Sequence, residues 1–191
     1  YGASVMWKTV KLKDVLTYEK VNGQGSSLPY LGMENISSDT MQIVGGLEIP
    51  ASTSSTFKFD ETHVLYGRLR PYLKKVLVPS FEGQCSTEIF CLKPSSSLNR
   101  KFLAYWLLSP KIATKIENTC TGARMPRANM NAILEFDFFL PPLAEQQRIV
   151  AKLDAAYAEI ETATIAIKLK QANYQALKKA FLAQELQSEA T

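Results

Sequence analysis

The last third of the chain is a long stretch without proline or glycine, and this stretch restricts the fold more than any other part. From Leu143 to about Gln187 the composition is dominated by Ala, Glu, Lys, Gln and Leu, which favour the α-helix. About 45 residues at about 1.5 Å each give a helix on the order of 67 Å long. A helix of this length is stabilised mainly by packing along one face. The sequence therefore predicts a partner for this helix.

Apolar residues in the predicted helix recur at alternating spacings of four and three, with Lys170 as the polar exception. A heptad pattern sustained over about four to five repeats is typical of a coiled coil. We call these apolar positions the seam. They are Ile149, Leu153, Ala156, Ile160, Ala163, Ile167, Tyr174, Leu177 and Phe181.

One row of the seam carries large side chains, and the other row includes Ala156 and Ala163. An antiparallel homodimer centred near Ile165 sets the two rows against each other, so that Tyr174 faces Ala156 and space is filled without overpacking. We therefore predict an antiparallel coiled coil. A register shifted by about seven residues also fits the heptad pattern. A helix packed along its own domain is the alternative.

A second row of mostly small residues lies beside the seam. Small side chains allow another helix to approach closely, so this row is a candidate surface for a further helical partner. Its members are Ala166, Leu169, Ala172, Asn173, Ala176, Ala180 and Ala183.

Residues 1–140 predict a mixed α+β domain, which the helical segment 141–191 follows. Short β-type runs alternate with turn signals, and the Ser/Gly-rich stretches Asn22–Ser27 and Ala51–Thr56 are typical of loops. Tyr1–Val5 lack the features of a secretory signal, and we treat them as an expression remnant outside the fold. The predicted strands are Leu28–Gly32, Met41–Gly46, His63–Gly67, Lys75–Pro79, Thr87–Leu92 and Phe136–Leu140.

Two helices are predicted before the long one. Ser97 or Asn99 caps a helix that runs to about Leu108, and Pro110 begins a second helix that ends near Asn118. The aromatic residues of this domain are expected in its core, and they include Tyr30, Phe102 and Trp106. Glu145 and Arg148 are expected to serve the start of the long helix, where the helix dipole favours Glu145.

Positive charge is concentrated in the middle of the chain. The whole chain carries a net charge of +4, whereas residues 64–130 alone carry +8 and the segments on either side carry −2 each. Such a basic block attracts a polyanion such as DNA, because each neutralised phosphate releases condensed counterions. A solvated basic face is the alternative interpretation.

Cysteine and histidine usage argues against disulfides and metals. Cys85, Cys91 and Cys120 are an odd, sparse set that fits a reducing cytoplasm better than a disulfide framework. Their spacing matches no zinc pattern, and the single His63 supplies at most one ligand, so we predict no metal site. No apolar run reaches the length of a membrane span. We expect a cytoplasmic protein without a membrane partner.

Motifs of common enzyme classes are missing. The sequence contains no Glu-x-Lys, no Gly-x-Gly-x-x-Gly, no Walker loop and no Asn/Asp-Pro-Pro-aromatic run. His63 has no cysteine or serine elbow near it in the sequence. We therefore predict a chain that is not an enzyme. A coiled-coil scaffold without DNA specificity is the alternative to a DNA-binding function.

Four segments in a fixed order carry a family resemblance. They are Tyr66–Lys75, Cys85–Glu88, Thr121–Arg127 and Pro141–Val150. The last segment resembles the one that follows a target-recognition domain in the specificity subunits of type I restriction–modification systems. The first three resemble motifs of the same family in the same order. The resemblance extends from about Trp7 to Gln187.

The resemblance implies a non-catalytic specificity subunit that holds double-stranded DNA for its partners. Methyltransferase (M) subunits would use S-adenosylmethionine to modify adenine, and restriction (R) subunits would use ATP and Mg, so that this chain itself needs no cofactor. The usual subunit of this family has two recognition domains at opposite ends of an antiparallel helical pair. With one domain and one helix, this chain resembles a half-subunit that homodimerises and recognises a bipartite, palindromic target.

The basic block and the resemblance together indicate candidate DNA contacts. Arg68, Arg70 and Tyr72 would share one face of a strand and contact phosphates or guanine edges, with a solvated hairpin as the alternative. Arg124 and Arg127 would either clamp backbone phosphates or brace their own loop. Polar loop residues would bond base edges. The full set of candidates is Arg68, Arg70, Tyr72, Lys74, Lys75, Arg124, Arg127, Asn22, Gln24 and Ser54.

Overall fold

The structure is a computed structural model that describes residues 7–49 and 54–188. The chain divides into two compact units, Tyr1–Val150 and Ala151–Thr191. The predicted remnant Tyr1–Val5 and part of the predicted loop Ala51–Thr56 lie outside the described residues. Among the residues that the structure describes, no helix is both long and apolar enough to cross a membrane.

The strands of the first unit form three small sheets. Their bounds are β1 (Lys8–Lys11), β2 (Leu16–Glu19), β3 (Tyr30–Leu31), β4 (Thr56–Phe59), β5 (Val64–Gly67), β6 (Val76–Leu77), β7 (Gly83–Ser86), β8 (Ile89–Pro94) and β9 (Asp137–Leu140). A four-stranded antiparallel sheet has the order β2-β8-β5-β6, and β1 pairs antiparallel with β9. In the third sheet, β7 lies between β3, to which it is parallel, and β4, to which it is antiparallel.

Strand β5 is buried on both faces and separates two cores. Val64 and Tyr66 belong to a main cluster shared with the helices, whereas Leu65 points into a second cluster with Ile89 and Cys91. Alternate side chains of a strand point to opposite faces, so the apolar run of β5 supplies both clusters. This explains why the run is continuous in the sequence instead of alternating with polar residues.

The helices are α1 (Arg100–Leu108), α2 (Pro110–Glu117), α3 (Met130–Leu134) and α4 (Leu143–Ser188). Asn99 caps α1, because its Oδ1 accepts a hydrogen bond from the Phe102 N–H at 3.1 Å. Helix α1 packs its aromatic face onto β9, where the Phe138 ring lies 5.1 Å from the Trp106 ring and 6.2 Å from the Phe102 ring. The predicted bounds of α1, α2 and α4 are therefore confirmed to within a residue or two.

The first turn of α4 contains a buried glutamine, Gln146, that the sequence did not indicate as important. The Gln146 side chain is fully buried. Its Oε1 accepts from the Asn99 N–H at 2.7 Å, and its Nε2 donates to the carbonyl oxygens of Ser97 at 2.9 Å and Pro141 at 2.8 Å. One amide thereby joins the start of α4 to the N-terminus of α1. At the same helix start, Glu145 accepts two hydrogen bonds from Arg148, which agrees with the role predicted for that pair.

The predicted strand Met41–Gly46 does not form. Asp39 and Met41 have φ angles of 63° and 56°, in the left-handed region that a strand excludes. Within the segment only Ile43 makes a bridge, to Ile36. The prediction was wrong because an apolar run beside glycines resembles a strand, whereas here it forms part of a loop whose Val44 N–H is bonded to the Asn35 carbonyl at 2.9 Å.

Several short elements were missed. Strands β1, β2, β4 and β7 and helix α3 each span only four or five residues. They contain too few residues to show a hydrophobic period. The pairing partners of these four strands lie far away in the sequence, as in β1 with β9, so only the tertiary fold defines the strands.

Candidate nucleic-acid interface

Three of the motifs from the basic half of the chain meet at one place. The Arg70 N–H donates to the Pro126 carbonyl at 2.8 Å, and the Ala128 N–H donates to the Arg68 carbonyl at 2.9 Å. On its other side, the Arg68 N–H donates to the Glu88 carbonyl at 2.8 Å. The segments Tyr66–Lys75, Cys85–Glu88 and Thr121–Arg127 thus lie side by side, although about 20 to 60 residues separate them in sequence.

The segment Thr121–Arg127 is a small closed loop. The backbones of Thr121 and Arg127 exchange two hydrogen bonds, at 3.0 and 3.1 Å. Gly122 has a φ of 92°, which a residue with a Cβ adopts only with strain. Arg124 and Met125 are exposed in the loop. We call this segment the arginine loop.

Arg127 braces the arginine loop in this structure. Its Nε donates to both carboxylate oxygens of Glu88, at 2.9 and 3.1 Å, and its Nη2 lies 2.9 Å from Glu88 Oε1. Hydrogen bonding to Glu88 raises the pKa of the Arg127 guanidinium. Of the two roles predicted for this residue, the contacts favour bracing, because the planar guanidinium is already occupied by a carboxylate.

Arg68, Arg70 and Tyr72 do not share the face of one strand, so that geometric prediction was wrong. Strand β5 ends at Gly67. Arg70 has a left-handed φ of 51°, and Pro71–Leu73 form a single 3₁₀ turn that contains Tyr72. Pro71 fixes its own φ and ends the ladder. Arg70 and Tyr72 are nevertheless exposed, whereas Arg68 is half-buried.

Lys74 and Lys75 hold the loop that follows β3. Lys74 forms an ion pair with Asp39, and the Lys75 Nζ donates to the Met33 carbonyl at 2.6 Å. The Gly67 N–H also donates to the Lys75 carbonyl. Both lysines, predicted as DNA contacts, therefore have structural partners within the domain.

The two loops predicted to bond bases are brought together. Asn22 bridges to Phe57 on β4, and the Gly23 N–H donates to the Thr56 carbonyl at 2.9 Å. Asn22 Oδ1 accepts from the Gln24 N–H at 3.0 Å. Asn22, Gln24 and Ser54 are exposed, so the described ends of both loops lie on a shared surface.

A buried glutamine that sequence analysis missed supports these loops. Gln84 on β7 is 1% exposed. Its Nε2 donates to the Ser26 and Leu28 carbonyls, and its Oε1 accepts from the Thr56 hydroxyl at 2.8 Å. A buried amide whose bonds are all satisfied fixes the geometry around it. Gln84 therefore positions the polar loops from beneath.

The buried thiols Cys85 and Cys91 and the buried His63 are surrounded by other residues of the first unit. The thiols of Cys85 and Cys91 are buried and 3.5 Å apart, and the hydrogen bond between them together with burial raises the pKa of Cys85. His63 is 3% exposed and lies between the carboxylates of Asp60 at 2.8 Å and Glu19 at 3.0 Å. A protonated thiol is a poor nucleophile, so these contacts suit a packing role.

The seam of α4 divides into two parts. Ile149 is half-buried against the main core of the domain, and Leu153 is also half-buried. Every described side chain from Ala155 to Leu186 is exposed. The large seam residues in this stretch are 58–66% exposed, and they are Ile160, Ile167, Tyr174, Leu177 and Phe181.

Comparisons with known proteins give one consistent result. Residues 4–171 match the family described as the type I restriction modification DNA specificity domain. The type I restriction enzyme EcoDI specificity subunit of Escherichia coli is 27% identical over 139 residues, which make up 73% of this chain and 31% of that protein.

Solved structures show the same fold. The HsdS subunit from Thermoanaerobacter tengcongensis superposes with a TM-score of 0.67 at 23% identity, over 85% of this chain and 45% of that one. A chain from a structure of the type I R-M system, described for its complex assembly and conformational transition, gives a TM-score of 0.69 at 21% identity, over 94% and 45%. The type I S subunit from M. genitalium gives 0.55 at 14% identity, over 84% and 41%.

This chain spans about a third of the curated relative and less than half of each of these solved chains. The identities to the solved structures are low, so these likenesses concern the fold. They confirm the α+β domain followed by a long helix.

Proposed function

The chain belongs to the type I restriction modification DNA specificity family, and we propose that it recognises a specific double-stranded DNA sequence as the specificity component of such a system. In this proposal it is not itself an enzyme. M subunits that use S-adenosylmethionine modify the DNA, and R subunits that use ATP and Mg cleave it. This chain recognises the DNA sequence to which the M and R subunits are recruited.

The convergence of the three motifs on one basic surface carries the proposal. Arg70 and Arg124 are exposed, come from separate segments and meet through the hydrogen bond between Arg70 and Pro126. Within the described residues neither guanidinium forms an ion pair with a carboxylate. Exposed arginines without acids attract a polyanion, and motifs shared across a family fix the DNA backbone more than they discriminate bases.

We assign base recognition to the polar loops that Gln84 supports. Asn22, Gln24 and Ser54 carry amide and hydroxyl groups that match base edges in the major groove. They stand on backbone that β4 and the buried Gln84 amide hold in place. A rigid support of this kind is what precise readout requires.

We further propose that two copies associate through the exposed seam as an antiparallel coiled coil. Large apolar side chains along the seam are mostly exposed in the single chain, and soluble proteins rarely leave so long an apolar stripe uncovered. Pairing two such helices would bury the stripe. Two-fold symmetry of the dimer would then place two recognition domains on a bipartite palindromic target.

A second apolar stripe on α4 is a candidate docking surface for the M subunit. Ile165 and Leu169 are 61% and 63% exposed, and small residues continue their stripe at Ala172 and Ala176. At about 100° per residue, a residue two positions after a seam residue lies on nearly the opposite side of the helix. The row that contains Leu169, Ala172 and Ala176 was expected beside the seam, and that placement was wrong, because these residues face away from it. The stripe therefore stays available in the proposed homodimer.

A genome-wide map of modified adenines in the source strain tests the function. The proposal expects one two-part palindromic sequence with a fixed spacer, which disappears when the gene for this chain is deleted. Purified complexes with M subunits should prefer that sequence over unrelated DNA. Replacing Arg68 and Arg70 by Ala should weaken DNA binding and leave the oligomeric state unchanged. If the complex shows no preference for any sequence, the scaffold alternative is favoured instead.

A further inference from the structure

Two cations of the domain lie together on an aromatic pair. The Arg68 guanidinium carbon is 5.9 Å from the centre of the Phe90 ring, and the Lys20 ammonium is 4.9 Å from the centre of the Tyr18 ring. The Tyr18 and Phe90 rings are themselves in edge-to-face contact, 5.0 Å apart. Each ring face attracts the cation over it, so β2 and β8 hold two positive charges next to each other.

Neither cation is paired with an acid in the part of the domain that the structure describes. No hydrogen bond or ion pair of the Arg68 or Lys20 side chain is found among the described residues, and the Nε of Arg68 is buried without a hydrogen-bond partner. A half-buried guanidinium without an acceptor is costly. Other basic residues nearby, such as Lys93 and Arg127, do have carboxylate partners. The pair is therefore a local excess of positive charge.

The two cations line a cavity of about 290 Å³ that contains no carboxylate. Its other polar lining groups come from Thr121, Asn129 and Asn131. Asn129 Oδ1 already accepts from the Ala132 N–H, which leaves its NH₂ group to donate. Desolvation raises the pKa of Tyr18 to about 12, so its hydroxyl stays protonated and keeps a proton to donate. The cavity is thus rich in donors and positive charge.

Building on the proposed function, we propose that this cavity binds one phosphate of the DNA backbone, with Lys20 and Arg68 as the charged contacts. A phosphate group projects from the duplex and accepts hydrogen bonds from several donors at once, which suits a donor-rich cavity. A contact to a base edge is disfavoured, because Arg68 is recessed on Phe90 and its backbone is bonded on both sides, to Glu88 and Ala128.

The cavity lies between the polar loops and the segments that carry Arg70 and Arg127, which suggests what a phosphate contact there would do. Lys20 lies two residues before Asn22, which belongs to the loops assigned to base recognition. Arg68 is two residues before Arg70 and bonded to the residue after Arg127. A phosphate held between these points would set the register of the duplex against the polar loops, independently of sequence.

Binding measurements on the complex with M subunits test the contact. Lys20→Ala should weaken binding to target and to unrelated duplex DNA equally, by about tenfold, and lower the salt slope by about one. Lys8→Ala, an equal charge change on β1, should leave both quantities unchanged. If Lys20→Ala behaves like Lys8→Ala, or if Lys8→Ala is equally harmful, the cavity is not the contact.

These outcomes separate the cavity from the proposed function. A wild-type complex that shows no sequence preference would overturn the function, whereas uniform loss on unrelated DNA in Lys20→Ala would still support the cavity. Normal specificity with an unaffected Lys20→Ala variant would overturn the cavity alone.

The full chain without partners provides a direct probe. The Nε–H resonance of Arg68 should shift saturably when inorganic phosphate or a short unrelated duplex is added, and not with chloride at equal ionic strength. Lys20→Ala should weaken both titrations. Saturation by inorganic phosphate without any response to duplex DNA would identify a site for free anions and overturn the assignment to the DNA backbone. No response to either ligand would overturn the pocket altogether.

Discussion

At the scale of single residues, the partners of each arginine separate those that build the candidate interface from those that face outward. Arg127 is engaged by Glu88 through both carboxylate oxygens. Arg124, three residues earlier, is exposed in the same loop. Two arginines in one motif therefore have different tasks, since one orders the loop and the other is displayed by it.

Replacing each of these arginines by alanine should affect a different property, thermal stability for Arg127 and DNA binding for Arg124. Arg127→Ala removes the brace and should lower the midpoint of thermal unfolding, and Glu88→Gln should do the same. Arg124→Ala should leave the midpoint unchanged and weaken DNA binding by the complex about tenfold. Calorimetry and binding titrations of the three variants would check this. A thermal loss in Arg124→Ala without a binding loss would reverse the assignment.

Gln146 should matter far more than its neighbour Gln147. Gln146→Ala removes the partner of the Asn99 N–H and of the carbonyl oxygens of Ser97 and Pro141, and the bonds to Asn99 and Ser97 are partly buried while the bond to Pro141 is buried. We expect a loss of about 3 kcal/mol in the free energy of unfolding. Gln147 is exposed, and Gln147→Ala should change this free energy by less than about 0.5 kcal/mol. Urea unfolding of both variants measures the difference. Equal stabilities would contradict the claim that the Gln146 amide stabilises the junction of α1 and α4.

Asp60 makes a pH-dependent contribution to stability. Hydrogen bonds from the hydroxyl and the N–H of Thr62 hold the pKa of the Asp60 carboxyl at about 2, below its usual 3.8. A lowered pKa in the folded state stabilises the fold above the unfolded pKa, and this contribution disappears as the pH falls through the folded pKa. The carboxylate is half exposed, so the effect is about 1 kcal/mol at most.

Asp60→Asn should therefore be less stable than the wild type at pH 5, and this difference should shrink between pH 4 and pH 2. Denaturant titrations across that range test the sign. A difference that stays constant with pH would show that the carboxylate charge is not responsible.

At the scale of elements, α4 carries a long row of apolar residues that the single chain leaves exposed to solvent. Its 46 residues form a helix of about 69 Å, yet its apolar seam is exposed from Ala156 onward. Intrinsic helix propensity alone stabilises a helix only weakly, and association normally supplies the rest. A single copy of α4 leaves the seam uncovered from Ala156 onward, which supports the proposed pairing.

The two faces of α4 should be separable by charge. Ile160→Glu with Ile167→Glu places two charges in the seam and should convert the dimer into a monomer. Thr162→Glu with Leu169→Glu places two charges at the same spacing on the opposite face. This control should keep the dimer and lose the M subunit. Sedimentation of the chain and pull-down of the M subunit measure both, and a dimer that survives the first pair of changes would reject the seam.

At the scale of the whole molecule, the relative orientation of the two copies in the proposed dimer is open to a direct test. An antiparallel pair centred near Ile165 sets Ala156 of one copy opposite Tyr174 of the other. A parallel pair sets each residue opposite its own equivalent. The two arrangements therefore predict different cross-links.

Mixing an Ala156→Cys chain with a Tyr174→Cys chain should give a disulfide-linked heterodimer under mild oxidation, in a Cys120→Ser background. Cys85 and Cys91 are buried and need no replacement. Cross-linking of Ala156→Cys to itself would favour the parallel arrangement. Pairing with Phe181→Cys or Ile167→Cys instead would show a register shifted by seven residues in one direction or the other.

The sequence by itself determined the elements that depend on local interactions. The cap of α1, the proline that opens α2 and the Pro/Gly-free length of α4 are local features, and the structure places these three helices where they were predicted. The sequence offered Ser97 or Asn99 as the cap, and the structure uses Asn99. Heptad spacing likewise identified the seam, which is exposed from Ala156 onward. Hydrophobic periodicity and helix capping depend on residues close together in the sequence, so they can be predicted without knowledge of the fold.

Only the tertiary structure decided which motifs meet and which side chains are occupied. Arg127 is hydrogen-bonded to Glu88, which is 39 residues away in the sequence, and Gln146 is hydrogen-bonded to Asn99, which is 47 residues away. The strand predicted through Arg70 was replaced by a left-handed residue and a turn. Such contacts depend on how distant segments fold together, and nothing in the neighbouring residues encodes them. For that reason the basic block was visible in the sequence, while its division into braces, exposed arginines and a cavity was not.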